Sequence, residues 1–141
     1  MNVLLVSHQG VASGMKKAVD MITGEQDKLH IIELTKAGVE QFSTELQSYL
    51  KEWSRYEKPL LILADLKGGT PYNQSVALVH QLKLEHSVFV VSGVNLPIIL
   101  ESLFIDDSNF TLSDLDNLIA SSKNAIFKAD LLEMNNNDLD E

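Results

Sequence analysis

Apolar residues in this chain fall into short unbroken runs separated by longer stretches of helical spacing. Val3 to Val6 are four in a row, rich in the branched side chains that suit a strand buried on both faces. His30-Ile31-Ile32-Glu33-Leu34, Pro59 to Ala64 and Ser87 to Val91 are three more such segments. Between the first two, Val11, Met15, Val19 and Ile22 recur at intervals of three and four, which predicts a helix stopped at Gly24. A second helix, Gly38 to Trp53, carries Val39, Phe42, Leu46, Tyr49, Leu50 and Trp53 on its dry side and Glu40, Gln41, Glu45, Gln47 and Lys51 on its wet side. A third runs from Pro71 to Leu82 and packs through Tyr72, Val76 and Val79. A short apolar helix ends at Leu103, and a fifth opens around Phe110, Thr111 and Ser113, with Leu112, Leu115 and Ile119 inward and Asp114 and Asp116 near its positive end.

Strands alternating with helices predict an α/β fold: an open, doubly wound, mainly parallel sheet with helices on both faces. The segment Ala125 to Leu132 stands apart. Phe127, Ala129 and Leu131 alternate with Lys128 and Asp130 as in an edge strand, although the same residues could also prolong the last helix. Residues 1–134 are expected to form a single domain, and 135–141 a polar acidic tail.

Strands that run the same way deliver distant residues to one edge. The first strand ends at Ser7-His8, the third at Asp65, and the fourth at the turn Ser92 to Asn95, all at the carboxyl edge where open parallel sheets collect ligands. His30 and His86 begin strands and belong to the opposite edge, while His80 lies late in a helix. After Asp65 comes Leu66-Lys67-Gly68-Gly69-Thr70-Pro71-Tyr72-Asn73. Thr70 suits a helix N-cap and Pro71 a first helical residue, and the paired glycines free the backbone to turn its amides toward an anion.

Composition narrows the field. The 20 acids against 11 bases, a net charge of -9, argue against a nucleic-acid partner, because phosphate backbones demand a basic surface. A chain without cysteine has no disulfides and no thiolate metal site, and no apolar run approaches the roughly 20 residues of a membrane span. The beginning of the chain lacks the pattern of a secretory signal, so a cytoplasmic protein is expected.

The chemistry that suits the carboxyl edge is phosphoryl transfer. A neutral imidazole attacks through one nitrogen when the other keeps its proton, and a carboxylate holds that proton in place. Asp65 is the candidate orienter of His8, with Gly68, Gly69 and Thr70 as the candidate amides and hydroxyl around the phosphoryl oxygens. No metal and no cofactor is required. Taken singly, these features are commonplace: a histidine in a turn, an aspartate capping a strand, glycines shaping a loop, Asn95 capping a helix. Their convergence at one edge is what carries the reading.

The same residues carry a resemblance. V-L-L-V-S-H-x-x-x-A-x-G at Val3 to Gly14, A-D-L-K-G-G-T-P-Y-N at Ala64 to Asn73 and S-G-V-N-L-P-I-I-L-E at Ser92 to Glu101 closely resemble the enzyme IIA domain of mannose-family sugar phosphotransferase systems. The resemblance implies a phosphocarrier that accepts a phosphoryl group on His8 from the phosphocarrier protein HPr and passes it to the IIB component of a sugar permease, touching the membrane complex at most peripherally. It implies that Asp65 is the carboxylate beside the histidine and that Thr70 is the hydroxyl of the phosphoryl-binding loop. It also implies a homodimer in which the C-terminal strand, antiparallel at the sheet edge, is exchanged between subunits. One departure is clear: family members commonly have glycine directly after the histidine, where this chain has Gln9. Glutamine resists a positive φ, so a different local turn, or crowding of a partner, is expected there. Gln9, Asn73 and Asn95 are the expected rim of the site.

Other classes fit less well. A receiver domain would phosphorylate an aspartate at the end of the third strand, where Asp65 stands, but Ser7-His8-Gln9 lacks the acids that would hold its magnesium. A flavin carrier would need a hydroxyl-rich loop after the first strand. The phosphocarrier subunit of a dihydroxyacetone kinase is close in chemistry, but the G-G-T-P-Y-N and V-N-L-P blocks look more like the mannose family.

Overall fold

Four strands and five helices alternate along residues 1–133, which are the residues that the structure, a computed structural model, describes. They are β1 (Asn2–His8), α1 (Val11–Thr23), β2 (Leu29–Leu34), α2 (Val39–Trp53), β3 (Leu60–Ala64), α3 (Thr70–Gln81), β4 (Val88–Ser92), α4 (Leu96–Leu103) and α5 (Leu112–Asn124), with one turn of 3-10 helix at Asp107–Asn109. The sheet order is β2-β1-β3-β4, and every pairing is parallel. The expected doubly wound α/β architecture is therefore present, with β1 and β3 at its centre. Both central strands are buried on both faces, which is why their sequences read as continuous apolar runs.

Alternation along the strands divides the core in two. Val3, Leu5, Leu61 and Leu63 point to the side covered by α1, α4 and α5, where they meet Ala12, Val19, Ile99 and Leu118. Leu4, Val6, Ile62 and Ala64 point to the other side, against Phe42, Leu46 and Leu50 of α2 and Leu78 and Val79 of α3. Truncating a fully buried leucine such as Leu5 or Leu63 to alanine would cost about 2–5 kcal/mol, the usual sum of lost transfer energy and residual cavity. The functional consequence is a matter of parity. Ser7 continues the odd row toward α1, and His8 continues the even row toward α3.

Several expected packing positions move. Val11, Ile22, Val39, Val76 and Leu112 are exposed, whereas Val19, Val79 and Leu115 are buried as their spacing predicts, joined by Ala12 in α1, Pro71, Ser75 and Leu78 in α3, and Leu118 in α5. The spacing fixes the middle of each stripe, and the sheet decides how far along the helix the burial extends. Helix α5 starts one residue later than Phe110-Thr111 suggests. Thr111 is its N-cap in a reciprocal capping box with Asp114.

The segment after α5 is neither strand nor helix within this chain. Residues 126–130 have no regular structure and 131–133 form a turn, with Phe127 83% and Leu132 98% exposed. The alternation read there has no sheet of its own subunit to join. The acidic tail expected at 135–141 lies outside the described residues.

Candidate active site

His8 is the last residue of β1, and Asp65 follows the last residue of β3 on the neighbouring strand. Because Val6 pairs with Ala64, the two residues come side by side as their strands end. One carboxylate oxygen of Asp65, Oδ2, accepts twice from His8: from its backbone N–H at 3.0 Å and from ring Nδ1 at 2.8 Å. A carboxylate only accepts, so Nδ1 carries the proton and Nε2 keeps its lone pair. The imidazole is 45% exposed and Asp65 only 12%, so the ring faces solvent while the carboxylate that holds it is sheltered. The other oxygen, Oδ1, is buried without a protein partner among the described residues. All of the carboxylate's hydrogen bonding is thus directed at His8. Such a buried oxygen is badly placed to accept a phosphoryl group itself, which counts against a receiver-type role for Asp65.

Gly69 lies against the imidazole. A Cβ at that position would come 3.0 Å from His8 Cε1 and 3.3 Å from the Leu66 carbonyl, so any side chain would push the ring or the loop. Gly68 has φ of +82°, the left-handed region that a glycine enters at no steric cost. Thr70 is the first residue of α3 and Gly69 its N-cap, without a side-chain cap hydrogen bond. The expected capping role of Thr70 is therefore not met. Nor is the Gly69 amide free, since it donates to the Leu66 carbonyl at 3.1 Å to close the loop. Pro71 has no N–H to give. Among the described residues, the N–H groups of Gly68, Thr70 and Tyr72 have no protein acceptor. These are the donors open to an anion at the positive end of α3.

Of the expected rim residues, Gln9 is exposed and its φ is not positive; the left-handed turn falls on Gly10, at φ of +92°. The shift of one position removes the strain anticipated at Gln9. Asn73 is exposed and tied to its loop, Nδ2 donating to the Gly68 carbonyl at 3.0 Å. Asn95 ties two helices together: Oδ1 accepts from Ile98 N–H at 3.0 Å and Nδ2 donates to the Ser122 carbonyl at 3.1 Å. Asn95 thus fills a capping role.

Two residues at this edge were missed by sequence reasoning. Ser7 is buried; its hydroxyl donates to the His8 carbonyl at 2.7 Å and accepts from Ala12 N–H at 2.8 Å, fixing the turn from strand to helix. Glu33, from β2, accepts from Ser13 N–H at 2.8 Å. Burial works against its charge, but hydrogen bonds from Ser13 and the Gly10 N–H outweigh it and hold the carboxyl below its usual range. The clue was available. Helix α1 begins after Gly10 with no side-chain cap and no acid in its first turn, so its free amides had to be satisfied from elsewhere.

Fold and site together define a class: a parallel α/β domain that presents a carboxylate-oriented histidine at the carboxyl rim of its sheet, beside an open helix N-terminus. Residues 2–119 match the EIIA-man family, described as the PTS system fructose IIA component. The sorbose-specific EIIA component of the PTS of Lacticaseibacillus casei is 35% identical over 116 residues, covering 82% of this chain and 80% of that protein. The fructose-specific EIIA component of Bacillus subtilis (strain 168) is 31% identical over 124 residues, covering 86% of this chain and 82% of the relative. Among solved structures, the mannose/sorbose specific IIA subunit of the phosphotransferase system from Enterococcus faecalis superposes with a TM-score of 0.77 at 28% identity, over 95% of this chain and 98% of that one. The chain belongs to the EIIA-man family of phosphotransferase-system components. Its members are phosphotransferases of sugar transport. No helix among the described residues is long and apolar enough to cross a membrane.

Proposed function

We propose that this protein is a cytoplasmic phosphocarrier that takes a phosphoryl group onto His8 from phospho-HPr and gives it to the IIB component of a sugar permease. The observation that carries this reading is the 2.8 Å contact between His8 Nδ1 and Asp65 Oδ2, which leaves Nε2 as the attacking nitrogen. As Nε2 attacks phosphorus, the ring becomes cationic, and the adjacent carboxylate stabilises that charge. Little other bond chemistry is asked of the protein, so placement and charge stabilisation do the rest. Gly68, Thr70 and Tyr72 N–H and the α3 dipole face the phosphoryl oxygens, Gly69 leaves room for the ring, and Gln9 stands at the rim that a partner protein must approach. A relative from Escherichia coli (strain K12), 27% identical and matched over 34% of its own length, is named a mannose-specific EIIAB component, and the joint naming of A and B supports IIB as the recipient.

The test is to incubate the protein with phosphoenolpyruvate and the general phosphotransferase proteins and to map the label. An acid-labile, base-stable phosphoramidate on His8 is expected, and His8→Ala should take up none while keeping its fold. Full labelling of that variant would exclude the mechanism.

The protein acts, in this reading, as a homodimer with exchanged C-terminal strands. Support comes from the outer edge of β4, which pairs with no strand among the described residues, the cavity of about 290 Å³ beside it lined by Val76, Val79, His80, Glu85, Val88 and Val90, and the exposed apolar residues Ile126, Phe127, Leu131 and Leu132. A strand supplied by a second copy would cover all three. Sedimentation equilibrium should give twice the chain mass, and a monomer after removal of the residues beyond Ala125; a full-length monomer would sink the exchange.

A further inference from the structure

We propose that Glu33 sets how tightly phosphorylated His8 holds its phosphoryl group, by neutralising the N-terminus of α1 so that the phosphorylated form is not over-stabilised and the group moves on. The inference rests on the reading of His8 as the phosphoryl carrier. Two helices begin around this histidine, α1 two residues beyond the Gln9 that follows it and α3 at the loop against its ring. Each helix N-terminus carries roughly half a positive charge. A phosphoryl group on Nε2 adds negative charge at the rim of the sheet where both helices begin. Helix α3 is left open to it, whereas at α1 the Ser13 N–H is bonded to Glu33 and the Ala12 N–H to Ser7 Oγ.

Placement makes the charge matter. In the parallel register Ser7 pairs with Glu33 and His8 with Leu34, so Glu33 stands one residue from the partner of His8 on the adjoining strand. Its hydrogen bonds keep it ionised. A carrier has to release what it accepts. In the accepting step the Nε2 lone pair forms a bond to phosphorus while the donor's bond to phosphorus breaks, and the Nδ1 proton stays on the ring against Asp65. In the releasing step a nucleophile of the IIB acceptor forms its bond to phosphorus as the Nε2–P bond breaks, the electron pair returns to Nε2 and the ring is neutral again. With two uncompensated helix termini near the dianion, the first step would gain and the second would lose. The carboxylate of Glu33 cancels one of them.

The experiment is to mix the protein with phospho-HPr and measure the equilibrium ratio of the two phosphorylated proteins. Glu33→Gln keeps an oxygen to cap α1 but removes the charge, and the equilibrium should move about two- to fivefold toward phosphorylated His8, the range for one charge at a helix terminus. Glu45→Gln, an exposed change of equal charge on α2, should leave the ratio at the wild-type value. Gly14→Asp places a new carboxylate in the first turns of α1, where a Cβ meets nothing within 4 Å, and should move the ratio the opposite way. A residue that only caps the helix would leave the Glu33→Gln ratio equal to that of Glu45→Gln, and that result overturns the proposal. Should Glu33→Gln melt before the assay temperature, the Gly14→Asp arm decides: an unmoved ratio there is equally fatal. Wild-type protein that takes no label on His8 would remove the carrier reading itself, an outcome distinct from a labelled wild type with an unmoved variant.

Discussion

Helices α1 and α3 both begin where the central strands end, one on either side of the sheet, yet their first turns are built in opposite ways. At α1 side chains of the protein take two of the first donors: Ser7 takes Ala12 N–H and Glu33 takes Ser13 N–H, leaving only Val11 N–H without a protein acceptor among the described residues of that turn. At α3 the N-cap is a glycine without a side chain, proline removes one donor, and the Gly68, Thr70 and Tyr72 amides face no acceptor among the described residues. A helix end left unfilled is costly unless water or a ligand completes it. On the proposed function, the filled end is structural and the open end is kept for the phosphoryl group. It also agrees with the parity of β1, which turns His8 toward α3.

Changes that break this contrast at the histidine should have the largest effect. Asp65→Asn would set its amide oxygen where Oδ2 now accepts twice, leaving its NH2 group at the buried Oδ1 position without an acceptor. The tautomer survives but the negative charge is lost, so phosphoryl transfer should slow on the order of 10²-fold, less than the roughly 10⁴-fold known where loss of an orienting aspartate also reverses the tautomer. Stopped-flow transfer from phospho-HPr measures it; an unchanged rate would reduce Asp65 to a structural cap. Next comes Gly69→Ala. The added methyl meets His8 Cε1 at 3.0 Å and should tilt the ring away from its line of attack, slowing transfer about tenfold with only a modest loss of stability. A rate equal to wild type would mean that the loop yields freely.

The mildest expected effect sharpens the other end of the comparison. Glu33 has its carboxyl held below the usual 4.5 in the folded state. A depressed carboxyl contributes stability that is fully present above the unfolded value and is lost as pH falls through the folded one. Denaturant melts between pH 5 and pH 3 should therefore show an acid slope that is shallower in Glu33→Gln, and identical slopes would show that Glu33 is not coupled to folding.

Much of this was legible in residue order. The runs Val3 to Val6 and Leu60 to Ala64 announced double-sided burial, the helical spacing between them announced crossovers, and with parallel strands His8 and Asp65 had to arrive at one edge. How far each helix stripe stays covered was not legible in the same way. Val76 and Leu112 satisfy helical spacing yet lie exposed, because the sheet decides how far along each helix the burial extends, and the segment 126–132 alternates like a strand without a partner in its own chain.

By itself, then, the order of residues determined the α/β architecture and the meeting of His8 with Asp65 at one edge, since those follow from periodicity and from the ends of apolar runs. Only the tertiary structure decided that Gly69 rather than Thr70 caps α3, that the Gly69 amide closes the loop instead of facing an anion, and that Ser7 and Glu33 seal α1. Those outcomes depend on hydrogen bonds between segments far apart in the chain, and a donor's partner is chosen by distance in space, which no spacing along one strand or helix encodes.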